Sequence, residues 1–138
     1  MKARIAHAEV AVRSRVALAS AECHYAQYED AIQDYTRAIA LQPDYYEAYA
    51  NRATAYLRLG DLERGYVDAS QSIKLNPEFA RAYALRGAVE MTRGDNAAAL
   101  ADFRAFIRLA SEDENPDTIN RVHELIRELE AEVAGTGE

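Results

Sequence analysis

The stretch YYEAYANRATAYLRLGDLERGYVDASQSIKLNPE, residues 45–78, decides the fold. Both halves carry apolar side chains at helical spacing. Gly60-Asp61 separates them, and Asn76-Pro77 closes the unit. Glycine takes positive φ cheaply and so ends a helix, while proline cannot continue one. The same unit recurs in weaker form on either side. Pro43 and Pro77 lie 34 residues apart, as do Gly60 and Gly94. A fixed period of this length marks a row of stacked helix pairs in which each pair buries its faces against its neighbours.

Set in register, the chain divides into a helical extension over 1–11 and three repeats at 12–45, 46–79 and 80–111. An acidic loop at 112–116, a closing helix over 117–134 and a flexible tail at 135–138 follow. Two columns hold only small residues: Ala19, Ala53 and Gly87, then Ala31, Gly65 and Ala99. They mark where the two helices of a pair approach. Ile39, Ile73 and Ile107, with Leu41, Leu75 and Leu109, are read as anchors of the second helices. The turn column is Ala26, Gly60 and Gly94. Ala26 suits a helix-ending turn worst, so the first turn is expected to differ. One long helix is expected from about Ala3 to Tyr25.

Asn115, Pro116 and Asp117 supply the start of the last helix, since Asn or Asp caps and Pro fits the first position. Ile119, Val122, Ile126, Leu129 and Val133 form its apolar stripe. Leu100, Phe103, Phe106 and Ile107 need such a cover, because no fourth repeat follows them.

Composition narrows the function classes. The 138 residues are 49% hydrophobic, and the net charge is −7. That charge argues against nucleic acid or an anionic membrane surface as the main partner. No apolar run is long enough for a membrane span, and Glu9, Arg13 and Arg15 interrupt any secretory signal. The one cysteine, Cys23, has no internal disulfide partner, which fits a cytoplasmic protein. Cys23 and His24 are neighbours on a helix and do not face each other, so they form no catalytic dyad. His7 and His123 have no ligands at metal-binding spacing. Glu112–Glu114 is a solvated loop. Asp34, Asp68 and Asp102 recur at the period, which points to structure and not to catalysis. No nucleophile–base pair, phosphate loop or metal set is present, so neither an enzyme nor a cofactor is expected.

Tyr49, Ala53, Tyr56, Gly60, Gly65, Ser72 and Pro77 carry a resemblance to the tetratricopeptide repeat. Ala19, Tyr28, Ala31, Tyr35, Ala38 and Pro43 match it in the first unit; Tyr83, Gly87, Gly94, Ala99 and Phe103 match it in the third. The resemblance implies an all-α, right-handed solenoid of three helix-turn-helix repeats with a capping helix. It also implies a concave groove lined by the first helix of each repeat. The groove positions then fall in rungs. Arg13, Glu47 and Arg81 make one, and Ala17, Asn51 and Leu85 the next, with Val16, Ala50 and Ala84 beside it. Ser20, Thr54 and Ala88 follow, then Cys23, Leu57 and Met91, then His24, Arg58 and Thr92. The expected role is non-catalytic binding of a peptide or partner helix, as an adaptor or scaffold, by a monomer or weak homodimer.

The segments at 35–43 and 51–61 look like repeats of co-chaperones that clamp acidic C-terminal tails. The clamp positions of that group fall here on Val16, Ser20, Asn51, Arg81 and Leu85, of which only Asn51 and Arg81 keep suitable chemistry. A reduced-clamp co-chaperone is the alternative function, and an accessory domain of a larger assembly or enzyme is another. The expectation is weak binding of acidic tails.

Overall fold

The computed structural model describes residues 24–136. The expected helix of Ala3–Tyr25, and with it Arg13, Val16, Ala17, Ser20 and Cys23, lies outside that range except at its last two residues. Within the described residues six helices follow one another: α1 over residues 24–41, then α2 Tyr46–Arg58, α3 Leu62–Leu75, α4 Ala80–Thr92, α5 Asn96–Leu109 and α6 Pro116–Thr136. The described residues contain no strand. The fold is an all-α solenoid, with α2 packed on α3, α3 on α4, α4 on α5 and α5 on α6.

The turns follow from two residues each. Gly60 and Gly94 have φ of 80° and 82°, which ends α2 and α4 in the left-handed conformation. Asp61 restarts the chain as the N-cap of α3, its side chain accepting the Arg64 N–H at 3.2 Å. Ala26 behaves differently. Residues 24–41 are helical without interruption, so the chain runs straight through the place where the other two repeats turn. The expected stop at Tyr25 is therefore absent.

In the second and third repeats the small-residue columns are contact points. A Cβ on Gly65 would stand 2.7 Å from Leu57 Cδ2, and one on Gly87 would stand 3.0 Å from the Phe103 ring. Ala53 and Ala99 are fully buried. Ser72 ties the second pair shut by donating to the Tyr46 carbonyl at 2.9 Å. One anchor expectation fails. Leu41 is 89% exposed, whereas Leu109 lies against the core that α6 helps to build.

That core joins Phe103, Phe106, Leu100 and Ala99 to Val122 and Leu129 of α6, with Ile107, Ile119, Leu125 and Ile126 packed around them. Glu124, Arg127, Glu128 and Glu130 on the other side of α6 face water. Asn115 Oδ1 caps α6 by accepting the Asp117 N–H at 2.8 Å. α6 extends through Gly135 and Thr136, residues the sequence assigns to a tail, because its stripe continues to the half-buried Val133 just before them.

Candidate functional site

The groove surface in the described residues comes from α2 and α4. These helices present Asn51, Thr54, Leu85 and Ala88 half-buried, with Glu47, Arg58, Arg81 and Thr92 exposed around them. Arg81 crosses from α4 to α2. Its Nη1 donates to Asn51 Oδ1 at 2.8 Å and its Nη2 to Thr54 Oγ1 at 3.3 Å. The Thr54 hydroxyl passes its own hydrogen to the Ala50 carbonyl at 3.1 Å. Sequence register pairs Arg81 with Glu47. The long Arg81 side chain instead reaches the rungs beside it, where neutral acceptors await. Its other N–H donors leave the exposed guanidinium available to an anion.

Several expected groove residues are placed otherwise. Ala50 is fully buried, so its methyl has no surface to offer a ligand. Leu57 lies over Gly65, in the gap that the missing side chain leaves between α2 and α3. Met91 and Ala84 pack against the core of Phe103 and Phe106 and keep only part of their surface free. His24 is exposed on α1, on the continuous helix and not at the end of a preceding one.

A second set was not found from sequence. Arg52 on α2 grips Asp68 on α3 with both Nε and Nη2, at 2.7 and 2.8 Å. Arg86 on α4 grips Asp102 on α5 in the same way, at 2.8 and 2.9 Å. The hydrogen bond to the carboxylate raises the pKa of each guanidinium against the opposing effect of burial. Arg52 also lies over Tyr49 and Tyr56, at 5.5 and 5.9 Å from the ring centres, and reaches Thr36 of α1 at 3.1 Å. The signal was available, since Arg52 and Arg86 recur at the same 34-residue interval as Asp68 and Asp102. Leu18 stands in that column in the first repeat, and Asp34 turns instead to Arg37 on its own helix. These pairs hold the helices of a repeat together.

Glu90 joins the third-repeat pair. It is buried, 3.9 Å from Arg86 Nε, and its Oε2 has no hydrogen-bond partner among the described residues. Burial first, then the hydrogen bond and charge of Asp102, push its pKa up to about 7.

A cleft of about 490 Å³ lies where the first half of α1 meets the turn between α2 and α3. Tyr25, Ile32, Tyr56, Leu59 and Arg64 are among its walls. One repeat further on, the corresponding junction is bridged by Arg93, which pairs with Glu63 and covers the Tyr66 ring at 4.7 Å. Leu59 takes the place of Arg93 here, and its aliphatic side chain offers no charge for such a bridge. Among the described residues no cluster of three or more His, Cys, Asp or Glu could hold a metal, and no helix is long and apolar enough to cross a membrane.

Comparison with known proteins agrees with this architecture. Tetratricopeptide and TPR repeat family models match residues 27–60, 46–79 and 68–114. The chain belongs to the tetratricopeptide repeat family. No curated protein matches it. Among solved structures it is similar to the second TPR of Spaghetti (RPAP3) bound to the HSP90 peptide SRMEEVD. There the identity is 36%, the coverage 60% of this chain and 77% of that one, and the TM-score 0.59. It is also similar to the second TPR domain of human RPAP3 in complex with the HSP70 peptide SGPTIEEVD, at 26% identity, 89% and 92% coverage and TM-score 0.63. The Arabidopsis OM64 TPR domain is similar at 26% identity, 88% and 94% coverage and TM-score 0.66.

Proposed function

We propose that this protein is a non-catalytic adaptor whose concave face, in three repeats over 12–45, 46–79 and 80–111, holds a peptide segment or a partner helix. The observation that supports the reading is the surface of α2 and α4. Asn51, Thr54, Leu85 and Ala88 form a shallow, largely uncharged floor, and Arg81 is fixed across it by Asn51 and Thr54. Small and amphipathic side chains in such a floor leave room for a partner's apolar residues, and a guanidinium at the edge sets direction. The small unpaired-cysteine chain with its negative charge suits a cytoplasmic, protein-binding role with no cofactor.

A second reading has its own support. RPAP3 domains with 26–36% identity hold peptides ending in EEVD, and Asn51 and Arg81 offer two of the groups a terminal carboxylate needs. Val16, Ser20 and Leu85 lack the rest. Each charge-assisted hydrogen bond contributes about 1.5–3 kcal/mol, so the missing ones separate a micromolar complex from a negligible one. Calorimetry with the peptide SRMEEVD decides between the readings. Binding weaker than about 100 μM is expected. Low-micromolar binding that disappears in Asn51→Ala would make the chain a co-chaperone module.

A further inference from the structure

The junctions between successive repeats share one plan but are closed differently. At the second junction Arg93 ends α4 with φ −76° and ψ −8°. Its Nη2 donates to the Glu63 carboxylate of α3, and its guanidinium lies over the Tyr66 ring at 4.7 Å. One period earlier Leu59 ends α2 with nearly the same backbone, φ −85° and ψ −3°. Glu29 stands 34 residues before Glu63, and Ile32 stands 34 before Tyr66. The first junction therefore keeps the acid and lacks the arginine that pairs with it.

No described side chain takes over that role. Glu29 is exposed, and its carboxylate has no hydrogen bond or ion pair among the described residues. Arg64 is the one cation that lines the cleft. It turns to Asp61 at 3.3 Å and lies over the Tyr56 ring at 5.8 Å. Asp61 and Arg64 offset each other, so Glu29 leaves the walls with one negative charge. The cleft has a volume of about 490 Å³, within the roughly 300–1,000 Å³ of clefts that hold small ligands. Leu59 and Ile32 give it an aliphatic wall, and Tyr25, 54% exposed, adds an aromatic one.

We propose that this cleft receives an arginine side chain from a basic partner peptide. The guanidinium takes the part that Arg93 plays one repeat later. It donates to the Glu29 carboxylate and stacks on the Tyr25 ring, while its methylene stem lies along Leu59 and Ile32. A planar guanidinium suits a carboxylate beside an aromatic ring better than an ammonium does. The net charge of −7 draws a basic partner toward this surface. The site shares no residue with the floor formed by Asn51, Thr54, Leu85 and Ala88, and it stands whether or not that floor holds a peptide.

The test is a titration of the full chain, with its isoleucine and leucine methyl groups labelled for NMR, by the peptide acetyl-Gly-Arg-Gly-amide. The Ile32 and Leu59 methyl signals should shift and saturate. The same peptide with citrulline, the neutral isostere of arginine, should bind about fivefold more weakly or worse. Glu29→Gln should weaken the arginine peptide by a similar factor. Leu59→Arg supplies the guanidinium from within the chain and should abolish the shift at Ile32, while Leu59→Met should keep it. The absence of a saturable shift at Ile32 and Leu59, equal binding of the citrulline peptide, or undiminished binding to Glu29→Gln would each overturn the proposal. Because Glu29 is exposed, its variant decides the matter even if Leu59→Arg folds poorly.

Discussion

Replacing Glu90 by Gln should stabilise the protein above neutral pH and have much less effect in mild acid. Glu90 is 6% exposed, its Oε2 lacks a partner among the described residues, and Asp102 already takes both strong donors of Arg86. Its pKa rises from an ordinary 4.5 to about 7. The folded protein therefore binds this proton more tightly than the unfolded chain does. Unfolding free energy falls with rising pH wherever the native state holds more protons. The loss begins near pH 4.5, is complete near pH 7 and persists above. At about 1.4 kcal/mol per pKa unit the penalty is at most about 3 kcal/mol. Glutamine keeps the shape, donates to Asp102 as the protonated acid does, and carries no charge. At pH 8 the variant should gain about 1–3 kcal/mol, equivalent to several degrees in melting temperature. At pH 5 most of that difference should have disappeared. Urea melts of both across pH 5–8 are the assay, with the difference between the proteins as the readout, since other groups shift both curves alike. A difference that is constant with pH, or a variant less stable at pH 8, would refute the placement of Glu90 as a buried, ionised burden beside Asp102.

Two further outcomes follow from the packing. Truncation after Ser111 removes the buried Val122 and Leu129 and the half-buried Ile119, Leu125 and Ile126. Burial of these contributes on the order of 5–10 kcal/mol before ordering costs, so residues 1–111 should aggregate or melt far earlier by scattering and calorimetry. A monomer with nearly unchanged melting would show that α6 is not the cover of the array. Gly87→Ala places a methyl 3.0–3.2 Å from three atoms of the buried Phe103 ring, which should cost about 1–3 kcal/mol in a denaturant melt; Gly135→Ala, with open space around it, should cost nothing comparable.

The fold was legible because punctuation and period agree. Gly60, Gly94, Pro43 and Pro77 fixed the turns, and Asn115-Pro116 fixed the start of α6. The site was legible only in part. A period assigns a residue to a helix face, but it does not say how far a long side chain reaches or what lies opposite. Arg81 bonded Asn51 and Thr54 instead of the Glu47 in its own rung, and Leu57 filled the space over Gly65. Ala50 vanished into the interior because an alanine methyl is short enough for packed helices to close over it. The recurrence of Asp68 and Asp102 marks them as structural, but only the packing of α2 on α3 and of α4 on α5 brings Arg52 and Arg86 to them. The period puts a turn at Ala26, whereas alanine followed by glutamine simply continues a helix.

Groove binding itself is tested most directly by selecting peptides from a random display library on the full-length protein and measuring the enriched sequences against Asn51→Trp, which fills the floor between Arg81 and Thr54. The expected result is a shared peptide motif whose affinity drops at least tenfold in the variant, changes little between low and moderate salt, and returns with Asn51→Ser. Peptides that bind Asn51→Trp as well as the unmodified chain would move recognition off the surface of α2 and α4.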